Sequence, residues 1–274
     1  MASDFELVIK PRRGWESLDF REIILYRELL GFLVWRDIKI RYRQTVLGAL
    51  WAILQPLIAM VIFTVVFHRI AGIHSDGPPY PLFAFAGLIP WTFFSNGVSA
   101  SSNSLIANQQ LVSKVYFPRI FIPLGSIAAL LLDLILSLVI LFIMILKYRW
   151  PVTAEIAWLP LFIVAAFLAA SGIGLVLSAL NVNFRDVKYA VPFLIQMGIF
   201  VTPVIYPIRY IPPRWQTLAG LNPMAGIVLG FRAAILGGSA PWPLINVSLS
   251  MSLLLFILGL LIFRRMERRF ADLI

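Results

Sequence analysis

Arg36-Asp37-Ile38-Lys39-Ile40-Arg41-Tyr42-Arg43-Gln44-Thr45-Val46-Leu47-Gly48-Ala49-Leu50-Trp51-Ala52-Ile53-Leu54-Gln55-Pro56-Leu57 holds the transition on which the reading of the whole chain depends. Four of its first eight residues are cationic (Arg36, Lys39, Arg41 and Arg43), whereas Gln44 to His68 contains no Asp, Glu, Lys or Arg. Charge and hydrocarbon meet at one junction, as they do where a chain passes from the headgroups into a bilayer. Upstream, a helix from about Leu29 to Arg43 sets Leu30, Val34, Trp35, Ile38 and Tyr42 on one side and Arg36, Lys39 and Arg43 on the other, as an interfacial helix requires. Arg41 and Ile40 blur the division. Residues 1–28 mix acids and bases around Pro11 and Gly14 and read as an extended cytoplasmic arm, without the short basic-then-apolar pattern of a signal peptide.

Composition agrees with the junction. Of 274 residues, 60% are hydrophobic and 13% charged, with a mean hydropathy of +0.89, against about 25% charged residues in soluble domains. A net charge of +10 would suit nucleic acid if its cations shared a solvated face, but they sit between apolar segments, so membrane topology accounts for them and no nucleic-acid partner is expected. The chain has no cysteine, which excludes disulfides, thiolate metal sites and thiol nucleophiles.

A bilayer core about 30 Å thick takes around 20 apolar residues of helix. Six stretches qualify, at about 46–68, 82–108, 121–146, 157–180, 189–207 and 243–263. The fifth is barely long enough. The expected fold is therefore an all-α integral membrane protein, with residues 1–45 as arm and interface helix and 46–274 as a six-span domain. With both termini inside, inner segments hold nine Lys/Arg before Gln44, two around 114–119, two around 185–188 and four after Phe263, so 17 of the 23. That excess predicts an N-in, C-in topology. Between spans five and six, Pro207, Pro212, Pro213, Pro223, Gly237, Gly238 and Pro241 punctuate a stretch in which Trp215 to Phe231 is uncharged. This predicts two short helices, either dipping into the outer leaflet as a gate or lying on its surface.

Polar groups inside the spans mark candidate function. The second span runs from apolar Leu82–Phe94 into Ser95, Asn96, Ser99, Ser101, Ser102, Asn103, Ser104 and Asn108. Such side chains suit a hydrated conduit, and equally helix-to-helix hydrogen bonding. Asp133 sits mid-span, where an acid costs roughly 2.5–3.5 kcal/mol on insertion scales, so it should face a partner or water. No other ionisable groups accompany it for a proton relay. Ser113-Lys114-Val115-Tyr116-Phe117-Pro118-Arg119 and Asn181-Val182-Asn183-Phe184-Arg185-Asp186-Val187-Lys188 pair aromatics with charge on the inner side, a composition suited to a partner's groove or to the headgroups. There is no G-x-x-x-x-G-K-[ST] loop and no H-E-x-x-H. The only histidines, His68 and His74, would hold a metal weakly at best.

Six blocks, in order, resemble the permease family of polysaccharide ABC exporters that move O-antigens, capsules and teichoic acids. Besides the Arg36–Pro56 stretch, they are Leu88-Ile89-Pro90-Trp91-Thr92-Phe93-Phe94, Lys114-Val115-Tyr116-Phe117-Pro118-Arg119, Asn183-Phe184-Arg185-Asp186, Thr202-Pro203-Val204-Ile205-Tyr206-Pro207, and Leu221-Asn222-Pro223-Met224-Ala225 followed by Phe231-Arg232. The resemblance implies a homodimer in the bacterial inner membrane, paired with two copies of a separate nucleotide-binding ATPase. ATP and Mg²⁺ would be used on that partner, leaving this chain without cofactor or catalytic residues. It implies coupling to the ATPase through Tyr116, Phe117, Pro118, Arg119, Asn183, Phe184, Arg185 and Asp186, with contact or headgroup anchoring by Arg36, Lys39, Arg41 and Arg43. Gate helices would map to about 210–237, and Trp51, Trp91, Phe93, Phe94 and Tyr206 would line a channel between protomers for a lipid-linked polysaccharide. Other readings are an ABC exporter of a drug or small glycolipid, a membrane-embedded glycolipid transferase and an ion channel.

Overall fold

A computed structural model describes residues 26–43, 49–75, 77–115, 117–184, 186–267 and 270. Among these residues every regular element is helical. The expected arm through residue 25, residues 44–48, Tyr116 and Arg185 lie outside them.

The first helix, α1 (Arg27–Arg43), covers the expected interface segment. Leu30, Leu33 and Val34 pack over Gly125, and Leu33 is the residue α1 buries. Trp35, expected on the apolar side, instead points outward, with the Lys39 ammonium 5.4 Å above its ring. Next comes α2 (Ala49–Phe63), continued by a wide π-helical stretch, Thr64–Ile70. Ile53–Ile70 of this pair is long and apolar enough to cross a bilayer and is almost wholly unburied.

The centre of the fold is α3 (Tyr80–Ala107), which packs against every other span-length helix except the last. A short helix, α4 (Gln109–Lys114), follows it. Helices α5 (Phe121–Ala128) and α6 (Leu131–Tyr148) together make one span-length unit, and α6 stops where Arg149 turns left-handed at φ 51°. Helix α7 (Leu159–Asn183) lies along α3 and also along α11 (Trp242–Glu267). At the α7–α11 crossing Gly172 and Gly259 let the backbones touch: a Cβ on Gly259 would meet the Gly172 carbonyl group. Close approach through small residues is how helices associate in lipid, where apolar burial supplies little drive.

Among the described residues five units are thus long and apolar enough to span a membrane, and a sixth is available from a bent pair. The fifth stretch differs from expectation. Its helix, α8 (Val187–Val201), has 15 residues, which at 1.5 Å per residue is roughly 22 Å. It ends because Thr202 precedes Pro203 and takes the extended conformation (ψ 137°) that a residue before proline prefers. Thr202 to Ile205 continue as buried irregular chain. Between Pro207 and Pro241 the two expected short helices form: α9 (Pro213–Ala219) and α10 (Pro223–Leu236), bent 103° from each other. Asn222 caps α10 by accepting from the Met224 N–H at 3.0 Å, and Pro223 starts the helix where a missing N–H costs nothing.

One end of the bundle gathers α1, α4, residues 117–122 and the ends of α7 and α11 around Leu33, Phe117, Phe121, Ala179 and Phe263. The opposite end holds α9, the start of α10 and the start of α3.

Candidate functional site

At the α1 end, a cavity of about 180 Å³ lies between α1, α2, α3 and α6. Arg41 and Tyr42 close it from α1, Trp51 and Gln55 from α2, Thr92, Phe93 and Asn96 from α3, and Asp133 and Ser137 from α6. Arg41 Nη1 donates to Asp133 Oδ2 at 2.8 Å, and the Tyr42 hydroxyl donates to Asp133 Oδ1. This ion pair joins residues 92 positions apart and ties the interface helix to the span beside it. Burial, and then the bond to Asp133, push the Tyr42 phenol upward, so it remains a protonated donor. The Arg41 side chain keeps 39% of its surface and Asp133 17%. The pair is therefore reachable from outside the bundle. Asp133 faces a partner, the first of the two environments its position demands, and it also faces a cavity.

The polar residues of α3 divide by helical phase. Ser101, Ser102 and Ser104 are buried toward α7, where Asn181 Nδ2 donates to the Ser102 carbonyl at 2.9 Å. Thr92, Asn96, Ser99 and Asn103 recur at steps of four, three and four residues, which places them on one face. That face is the less buried side of α3, Thr92, Asn96 and Ser99 being part-buried and Asn103 exposed, with Asn103 Oδ1 accepting from Asn181 Nδ2 of α7 at 3.3 Å. Its upper part lines the cavity, and below it the chain opens into a second, shallower hollow of about 530 Å³ beside Asn108, Gln110 and Lys114. Helical phase also sorts the aromatics. Phe93 and Trp51 line the cavity, Phe93 as a buried member of the core that also holds Trp91 and Phe94, whereas Trp91 faces Gly198 of α8 and lies 5.7 Å from Phe94. Tyr206 lies elsewhere, half-buried, its hydroxyl donating to the Phe200 carbonyl at 3.1 Å.

A second guanidinium organises the opposite end. Arg232, in α10, donates through Nη1 to the Pro203 carbonyl at 2.6 Å, through Nε to the Phe83 carbonyl at 3.1 Å, and through Nη2 to the Val204 carbonyl. Its Cζ lies 3.6 Å from the centroid of the Phe83 ring. Irregular backbone at membrane depth needs such internal partners. Two of the sequence blocks, Thr202–Pro207 and Phe231-Arg232, meet here against Phe83 of α3. The sequence signal for this is Arg232 as the lone charged residue between Trp215 and Ile235.

The segments with aromatic-plus-charge composition come out at the α1 end and differ from each other. Phe117 and Pro118 are buried, and Arg119 is held to the end of α11 by its Nη1 on the Glu267 carbonyl at 2.9 Å and its N–H on Glu267 Oε1 at 3.1 Å. Phe184 and Asp186 are exposed, beside Asn183, whose amide donates to the Ala179 carbonyl at 2.9 Å. Arg36 pairs with its neighbour Asp37 at 2.8 Å, while Lys39 and Arg43 are exposed. His68 stacks on Tyr80 at 5.1 Å and meets His74 edge-on. Among the described residues no three His, Cys, Asp or Glu come together as a metal site would need.

These features define a helical membrane protein with a polar cavity reached from the outward face of its central span. The chain belongs to the ABC-2 type transporter membrane family, whose pattern matches residues 28–236. Among its relatives, an O-antigen export system permease protein RfbA of Myxococcus xanthus is 32% identical over 216 residues, 78% of this chain and 82% of the relative. One of the same name from Klebsiella pneumoniae is 28% identical over 248 residues, 90% and 95% of the two chains. The polysialic acid transport protein KpsM of Escherichia coli is 29% identical over 240 residues, 85% and 91%.

Proposed function

We propose that this chain is the permease subunit of an ATP-driven polysaccharide exporter of the bacterial inner membrane, acting as a homodimer with two separate ATPase subunits and moving a lipid-linked glycan outward. Family membership and the relatives' names support the general class. The observation that carries the transport reading is the polar, part-exposed face of α3 from Thr92 to Asn103, with a cavity at its upper part and a shallow hollow beyond its lower end. Lipid gives no hydrogen bonds to such a row, so a second protomer and a hydrated passage account for it better than acyl chains do. The exposed Phe184 and Asp186 support a docking surface for the ATPase at the α1 end, with Arg36, Lys39 and Arg43 near it. The bent α9–α10 pair supports a gate at the other end.

Deleting the chain should abolish surface polysaccharide and leave glycan accumulating inside, with restoration by the intact gene. Asp186→Arg should reduce export several-fold while the protein still inserts. Unchanged surface glycan in the deletion strain, together with altered sensitivity to a drug, would replace this reading by that of a drug or small-glycolipid exporter.

A further inference from the structure

The cavity beside Asp133 is more elaborately furnished than a passive conduit needs. Two aromatic residues, Trp51 and Phe93, line it together with planar polar groups, the Arg41 guanidinium, the Asp133 carboxylate and the Asn96 amide. Aromatic faces pack on the C–H surface of a sugar ring. Guanidinium, carboxylate and amide groups offer paired donors and acceptors at the spacing of neighbouring hydroxyls. Charge narrows the ligand further. Arg41 and Asp133 cancel each other at 2.8 Å, so the cavity has little net attraction for a phosphate or carboxylate over a neutral polyol. Size narrows it again. A volume of 180 Å³ equals roughly six waters at about 30 Å³ each, and lies below the roughly 300 Å³ at which drug-sized pockets begin.

The geometry points to a subsite for one uncharged pyranose residue, in which Trp51 and Phe93 hold the ring face and Asp133, fixed by Arg41 and Tyr42, accepts from its hydroxyls. The inference rests on the export reading and adds to it a place on each protomer where the passing chain is gripped one residue at a time. The grip is reversible because the ion pair stays partly solvated and the Trp51 ring is open on one side, keeping 57% of its surface, while Phe93, 4% exposed, forms the fixed wall.

The natural absence of cysteine makes a direct test available. In the purified permease–ATPase complex in nanodiscs, Asn96→Cys supplies a single thiol in the cavity, if the partner's own cysteines are first replaced. Its modification by a cationic methanethiosulfonate is timed alone and with D-glucose, D-galactose, D-mannose or L-rhamnose at about 0.1 M, far above a Kd on the order of 1 mM. Mannitol, which has the hydroxyls but no ring, serves as the control. Expected is steady labelling that at least one pyranose slows about tenfold or more, about a hundredfold where Kd is about 1 mM, with no slowing by mannitol. Adding Trp51→Ala or Asp133→Asn to Asn96→Cys should leave the labelling and remove the protection. A thiol that does not react, no protection by any of the four sugars, or equal protection by mannitol overturns the subsite. Export by the unaltered chain is scored separately from surface glycan, so loss of the subsite with export intact leaves the general function standing.

Discussion

Two guanidiniums sit among the helices of this protein, and their surroundings are opposite. Arg232 is 5% exposed and donates to the Phe83, Pro203 and Val204 carbonyls, the last two in the irregular chain that follows α8. Arg41 is bound to a carboxylate, beside a cavity, with more than a third of its side chain accessible. The first cation completes the fold. The second is held where water or a ligand can take its place. Position in the bundle rather than residue type separates a lock from a site, and the two can be told apart by substitution.

The largest effect is expected at Arg232. Arg232→Gln removes the fork that serves the Phe83, Pro203 and Val204 carbonyls, and each orphaned group costs about 1–3 kcal/mol. Arg232→Lys should fail nearly as badly, because a point ammonium cannot reach three carbonyls in the guanidinium's geometry. Both variants should show sharply reduced yield of monodisperse protein in detergent and a lowered Tm. Arg41→Gln, by contrast, should yield folded protein, since cavity water can solvate the freed carboxylate. Equal yields of the Arg232 and Arg41 variants would break the comparison.

A smaller effect is expected from Gly87→Ala. A Cβ at residue 87 would lie 2.9 Å from Arg232 Cζ and closer still to Nη2. A surface arginine would swing away from such a methyl group. This one is anchored at three points, so the crowding must be absorbed by α3 or α10, at about 1–3 kcal/mol. The measurement is thermal unfolding followed by light scattering in detergent, and a Tm equal to that of the unaltered protein would show that Arg232 is less firmly held than its bonds indicate.

The sequence made the spans legible because charge-free length is a one-dimensional signal, and the five long units lie close to where that signal puts them. It ran past the true end of α8 because Val204, Ile205 and Tyr206 are apolar, although Thr202-Pro203 already carries the local instruction to leave the helix. Neither guanidinium site was legible. Arg41 spoiled the helical pattern of α1 and Asp133 spoiled the hydropathy of α6, and the two misfits turn out to be partners. A pairing over 92 residues leaves no trace in local periodicity. Phase explains the aromatics in the same way. Trp91, Phe93 and Phe94 are equivalent to a composition count, and all three are buried in one core, yet a rotation of about 100° per residue brings only Phe93 of them to the cavity wall.

The smallest effect is expected on the face of α3 that turns inward, where the serines look functional by composition alone. Ser101 Oγ and Ser102 Oγ have no hydrogen-bond partner among the described residues, and Gly174 opposes Ser101 so closely that its Cβ would meet the hydroxyl at 2.6 Å. The groups are there for their size. Alanine preserves that size to within one oxygen and removes a desolvated hydroxyl, so Ser101→Ala and Ser102→Ala should change stability by less than about 1 kcal/mol, with no net loss. Surface glycan should be unchanged in both. Asn96→Ala and Asn103→Ala on the outward face should spare stability equally and reduce export. A glycan defect in Ser101→Ala that matched the one in Asn96→Ala would mean that the passage runs along both faces of α3, and the division by helical phase would fail.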